Sequence, residues 1–289
     1  MTFAIGLGAA LVASVFFNVG IALQGIEART APRRLGLSLS LLTRLLRRPR
    51  WVAGWALGTL GIGPQVLALA EAPFVVVQPA LAVGLLILLV LGARTFHERV
   101  GILEVLGVLA IIGGVALVAT GAPSHTETHR GVAAVVGVVG ALSACSLVPF
   151  ATRGTRLDTG ILANVASGCG FATSNIATKL MSDDVGRGHY LPSALWAAVL
   201  LITGVAATVT GMTAFQRLRA TTVVPVNTAV QTFLPIVLEP LFLRERWASA
   251  EFGGAPIAVG VVAALLGAIL VTRTRAVSEL AAGAQYGGP

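Results

Sequence analysis

From Thr2 to Thr272 the sequence is a succession of apolar runs, each roughly 20 residues long and so able to cross about 30 Å of hydrocarbon as a helix. That pattern points to an all-α membrane protein before any motif is considered. Composition agrees: 56% of the residues are hydrophobic and 11% are charged, where a soluble domain carries about 25% charged. The opening MTFAIGLGAALVASVFFNVGIAL lacks a basic n-region, and its apolar part is too long for a signal peptide. It reads as a retained first span, Thr2–Leu23. The net charge of +8 does not call for nucleic acid, because the basic residues sit between the apolar runs, where the positive-inside rule accounts for them. Cys145 and Cys169 lie inside spans and away from any CxxC spacing, which predicts small packing residues rather than a disulfide or a zinc site.

Further spans are predicted at Trp51–Ala70, Phe74–Gly92, Val100–Thr120, Gly131–Ala151, Thr159–Met181, Ser193–Gln216, Thr222–Leu243 and Phe252–Thr272. The segment Ala31–Arg50 differs. Leu35, Leu39, Leu42 and Leu46 form one helical stripe among Ser38, Thr43, Arg44, Arg47 and Arg48, so the segment is either an interfacial amphipathic helix or a short span. The count is then nine to ten transmembrane helices.

The chain also repeats itself. Sliding Ala72–Thr120 onto the stretch from Arg219 without a gap superposes Glu98 on Glu245, Arg99 on Arg246, Glu104 on Glu251, Gly107 on Gly254 and Gly113 on Gly260. Matching acids carry weight because only 12 of 289 residues are Asp or Glu. The reading is a duplication: residues 1–120 as a first five-helix repeat, 121–130 as a linker, 131–272 as a second five-helix repeat, and 273–289 as a mobile tail. An odd number of helices per copy inverts the second copy in the bilayer. Arginine placement favours a multi-pass protein of the cell (inner) membrane with most basic loops cytoplasmic, the N-terminus lying outside only if Ala31–Arg50 stays on the cytoplasmic face. The bias weakens, without reversing, if Ala31–Arg50 spans.

Polar side chains inside spans are costly in lipid and should face the bundle interior or a watery cavity. The substrate-binding candidates are Asn18, Gln65, Gln78, Asn164, Asn175, Thr178, Asn227 and Gln231, with Thr213 a further polar residue of the same kind. Gln78-Pro79 and Pro225-Val226-Asn227 occupy equivalent places in the repeat, so Pro79 and Pro225 are candidate helix breaks beside a cavity. The competing reading makes these amides hydrogen-bonding glue between helices. In NVASGCGFATSNIATK, Gly168, Gly170 and Ser174 would let another helix approach closely, while Asn175 and Thr178 could meet a solute. Glu239, inside LPIVLEPLFL, is the candidate for ion or proton coupling. The Glu98-Arg99 and Glu245-Arg246 pairs read as helix-terminal charges. His125 and His129 read as parts of a solvated loop, and no metal site is assigned. No GxSxG, HExxH or Walker loop is present, so neither an enzyme nor a cofactor is expected.

With those residues in place, the chain resembles the drug/metabolite transporter superfamily, whose ten-helix EamA-type members have two inverted five-helix halves. The resemblance runs roughly from Gly6 to Thr272. It is nearest the NIPA-like branch, associated with magnesium transport, through IGLGAALVAS, the basic segment before WVAGWALG, LAEAPFVVVQP and FHERVGILEVLG. The resemblance implies alternating access about a central cavity, with a small-molecule or ion substrate and the lipid bilayer as partners. It supports transport more than magnesium. Mg²⁺ wants oxygen ligands, usually including a carboxylate, and beyond Glu239 the spans offer almost none. A small polar or amphipathic organic solute suits the amide-rich interior equally well. The other class of reading is a membrane scaffold or a lipid-modifying enzyme. Abundant GxxxG-like spacing leaves a homodimer open, although internal packing accounts for the same spacing.

Overall fold

Small residues decide how the helices meet. The computed structural model describes residues 2–72, 77, 80–95, 100–121, 131–243 and 251–286. Its elements are α1 (Thr2–Thr30), a 3-10 turn (Arg33–Leu35), α2 (Leu39–Leu46), α3 (Pro49–Glu71), α4 (Gly84–Thr95), α5 (Ile102–Gly121), α6 (Val132–Ala151), α7 (Gly160–Gly186), α8 (Tyr190–Arg217), α9 (Ala220–Leu243), a second 3-10 turn (Glu251–Gly254) and α10 (Ala255–Tyr286). No strand occurs among the described residues.

Four of these helices are long and apolar enough to cross a membrane, over Ala4–Thr30, Ile102–Thr120, Ala133–Ala151 and Tyr190–Arg217, and Ala80–Arg94 and Ala255–Val271 are shorter apolar helices. The protein is therefore all-α, with the character of a membrane-embedded chain.

The closest approaches are made where a side chain is missing. α5 and α10 run antiparallel through two glycine pairs. A Cβ on Gly107 would lie 2.7 Å from the Gly267 carbonyl oxygen, and one on Gly114 would lie 2.5 Å from that of Gly260. α1 and α3 cross in the same way at Gly20 and Gly54, where a Cβ on either would meet the other's backbone oxygen. α7 is packed on two sides. Gly168 abuts Val230 of α9, while Gly170 abuts Ala207 and the Thr203 carbonyl of α8. Small residues at helix contacts are how helices pack in lipid, where apolar burial between helices gains little.

The chain between α1 and α3 departs from a full span. α1 continues past Leu23 to Thr30, and α2 is eight residues long, about 12 Å of helix against 30 Å of hydrocarbon. α2 cannot cross. The leucines that bury are Leu41 and Leu45, at 0% and 1% exposed, not the stripe read from the sequence. Leu35 and Leu42 are only part-buried, and Leu39 and Leu46 are exposed. The cause is tertiary: the Leu37 amide donates to Thr213 Oγ1 of α8 at 2.9 Å, and Trp51 Nε1 contacts Met212 Sδ at 3.4 Å. Those anchors turn Leu41 and Leu45 inward. At the other end of the chain, α10 runs on through part of the expected tail as far as Tyr286.

Candidate functional site

The amide residues singled out by the sequence separate into two groups once their partners are known. Three are spent on structure. Asn18 is buried, and its Nδ2 donates to the Ser14 carbonyl at 2.9 Å within α1, while Ser14 Oγ donates to the Leu81 carbonyl at 2.7 Å. Gly84 is required opposite, because a Cβ there would run into the Asn18 amide. Asn164, 1% exposed, donates from Nδ2 to the Val223 carbonyl of α9 at 3.1 Å. Asn227 Nδ2 returns a longer 3.4 Å bond to the Asn164 carbonyl, so the two residues stitch α7 to α9. Thr213, the further polar residue, accepts the Leu37 amide.

The second group makes no hydrogen bond to a described residue: Gln65 and Gln231, both part-buried, and Asn175, which is exposed. Asn175 of α7 and Gln231 of α9 each lie roughly 16 Å from the nearer end of their helices by the 1.5 Å rise per residue. Asn175 is eleven residues on from Asn164 and so points the same way from α7. Gln231 follows Asn227 by one turn. The seam that Asn164, Gly168, Asn227 and Val230 close is thus continued, further along both helices, by two amides without such bonds. Thr178, also exposed, instead satisfies its hydroxyl within α7 by donating to the Ser174 carbonyl at 2.8 Å.

Pro225 does not break its helix. α9 is continuous from Ala220 to Leu243 and runs on through Pro225. Gln78 and Pro79 lie outside the described residues, as do Glu98, Arg99, Glu245, Arg246, His125 and His129. Glu239 lies within α9, with its side chain outside the description. Of the two free cysteines, Cys169 is buried as a packing residue and Cys145 is exposed.

The seam between α7 and α8 adds polar contacts to apolar ones such as Trp196 and Val199 against the cluster of Ile176 and Leu180. Ser167 Oγ donates to the Ala207 carbonyl at 2.8 Å, and Ser174 Oγ and Thr203 Oγ1 lie 3.0 Å apart. Its mouth is held by an ion pair between Arg217 and Asp158. That guanidinium holds the Asp158 carboxyl below its ordinary value of 3.8 despite partial burial. Arg217 also donates to the Asp158 carbonyl at 3.0 Å.

Several charged residues outside the candidate set are structural partners. Arg29 at the end of α1 donates to the Phe215 and Leu218 carbonyls, 3.3 and 2.9 Å away, and so closes the C-terminus of α8. Glu104 is buried in the first turn of α5. It accepts the Gly101 amide at 2.9 Å and faces Arg219 at 3.4 Å. Glu27 is also buried, because α1 runs on past the expected span end. The scarcity of acids was the available signal: a carboxylate in so apolar a chain needs a specific reason to be there.

No protein family, curated protein or solved structure matches this chain.

Proposed function

We propose that the protein is a membrane transporter of the drug/metabolite type, moving a small polar or amphipathic solute by alternating access between two inverted halves, the first of which includes the short, non-crossing α2. The observation that carries this reading is the pair Asn175 and Gln231, deep in their helices and hydrogen-bonded to no described residue. An amide facing hydrocarbon leaves several kcal/mol of hydrogen bonding unmade. Facing water or a solute, it does not. Gln65 of α3, part-buried, likewise has no hydrogen bond to a described residue.

The glycine crossing of α5 and α10 supports the inverted repeat. The shift that superposes Glu98 on Glu245 carries Gly114 onto Val261 and Gly260 back onto Gly113. Equivalent positions of the two copies, Gly113 and Gly260, thus lie within one residue of facing each other at the crossing, as a local two-fold axis there requires.

Purified protein in liposomes tests the proposal, with amino acids, nucleobases, cationic organic solutes and Mg²⁺ offered as cargo. Asn175→Leu and Gln231→Leu should each lower flux at least about tenfold, roughly 1.4 kcal/mol of binding or barrier, while leaving thermal stability unchanged. Wild-type flux in both variants, or no flux of any solute from folded protein, refutes the reading. Flux of Mg²⁺ alone would select the NIPA-like alternative. A scaffold would show a cysteine placed at Asn175 shielded from aqueous thiol reagents on both sides.

A further inference from the structure

The short helix α2 carries three distinct faces. Leu41 and Leu45 are locked into the core. Ser40, Thr43, Arg44 and Arg47 occupy a second face, and with Arg48 and Leu35 they line an open recess of about 460 Å³. Leu39 and Leu46, 65% and 55% exposed, form a third face directly beside the polar one.

The three arginines differ from the others described above. Arg29, Arg217 and Arg219 are committed to carbonyls or carboxylates. Arg44, Arg47 and Arg48 are exposed, and their guanidiniums make no ion pair or hydrogen bond with a described residue. Like charges crowded around a recess repel one another, and an anion placed among them relieves that repulsion.

We propose that this recess binds the phosphate headgroup of an anionic membrane lipid. Guanidinium groups match phosphate oxygens with paired hydrogen bonds, while the neighbouring hydroxyls are already engaged, Thr43 donating to the Ser40 carbonyl and Ser40 bonded to Ser38. The exposed leucines choose the source. A free phosphate has no use for Leu39 and Leu46, whereas a lipid lays its acyl chains against them while its headgroup enters the recess. An eight-residue helix that cannot cross the bilayer, anchored on one face and basic on another, sits where headgroups are.

The test uses the full-length protein in mild detergent, with lipid retention measured by native mass spectrometry and stabilisation by thermal shift. Phosphatidylglycerol, phosphatidylcholine and inorganic phosphate are the probes. Phosphatidylglycerol should bind and stabilise, and the other two should not. Each of Arg44→Gln, Arg47→Gln and Arg48→Gln should weaken binding about fivefold, and the triple variant roughly 100-fold. A double variant, Arg33→Gln with Arg34→Gln, removes the same kind of charge next to the recess and should change binding less than about twofold. Leu39→Ser with Leu46→Ser should weaken lipid binding as well. Equal binding of phosphatidylcholine, equal stabilisation by inorganic phosphate, an unaffected triple variant, or equal damage from the Arg33/Arg34 pair would each overturn the proposal.

Discussion

The α5–α10 seam and the α7–α9 seam solve the same problem by opposite means. Both bring two helices together where burying apolar surface gains little. At α5–α10 the helices touch backbone to backbone at Gly107, Gly114, Gly260 and Gly267. At α7–α9 a glycine, Gly168, still admits Val230, but Asn164 and Asn227 add side-chain bonds to carbonyls across the seam. The first seam depends on shape alone, so it tolerates no added atom. The second depends on partners as well, so it tolerates a change of volume better than a loss of donors. At the first seam the side chains of Ile111, Val118, Ala264 and Val271 fill in around the glycine contacts. Asn175 and Gln231, which make no hydrogen bond with a described residue, lie beyond the stitched stretch of the second.

That contrast can be broken most forcefully at the glycines. Gly114→Ala and Gly260→Ala each insert a carbon against the opposing backbone and should cost about 1–3 kcal/mol, read as a fall in unfolding temperature in detergent. A double variant costing no more than one single change would show that the helices slide to relieve both at once. The stitched seam should respond less. Asn164→Ala removes the bond to Val223 but also removes a buried oxygen, Oδ1, that has no partner, so the loss should be about 0.5–1.5 kcal/mol. A loss as large as that at Gly114 would mean that the seams do not differ as described. Asn164→Leu keeps the bulk without the donor and separates the two contributions.

The smallest effect concerns acid. Asp158 has its carboxyl depressed in the folded protein by Arg217. Its contribution is therefore complete above the ordinary value of 3.8 and disappears as the pH falls through the lower folded value. Unfolding temperature should drop below about pH 4 by an amount worth under about 1 kcal/mol, as for ion pairs near a surface. In Asp158→Asn that part of the drop should be missing. Because the glycine seam carries no such pair among the described residues, Gly114→Ala should shift the whole pH curve without changing its acid limb.

Much of this was legible in the sequence because it depends on residue size and apolarity. Gly168 and Gly170 were readable as close-approach positions, since only helix packing explains small residues at that spacing in an apolar run. The helical class followed from the length of the runs. What the sequence hid was direction. The stripe holds only from Leu39 to Leu46, because Leu35 lies in a separate 3-10 turn, and contacts with Thr213 and Met212, far away in the chain, chose Leu41 and Leu45 for the core. The amides were legible as a set but not individually. Asn164 and Asn175 lie on one face of one helix, and only the position of α9 separates a structural bond from an open donor. Pro225 was legible as a candidate break, yet α9 runs on through it from Ala220 to Leu243.

The clasp made by Arg29 has a consequence for assembly order. Its acceptors, Phe215 and Leu218, lie 186 and 189 positions downstream. Gln216 donates to the Ala31 carbonyl across 185 positions, and Leu37 waits 176 for Thr213. A ribosome makes α1 first and α8 much later, so these bonds cannot form until most of the chain has emerged. Until then the end of α1 and the start of α2 have none of these partners, and the loop to be closed is among the longest in the protein. The end of α1 and the start of α2 are thus among the last parts to be fixed, although the body of α1 meets α3 early.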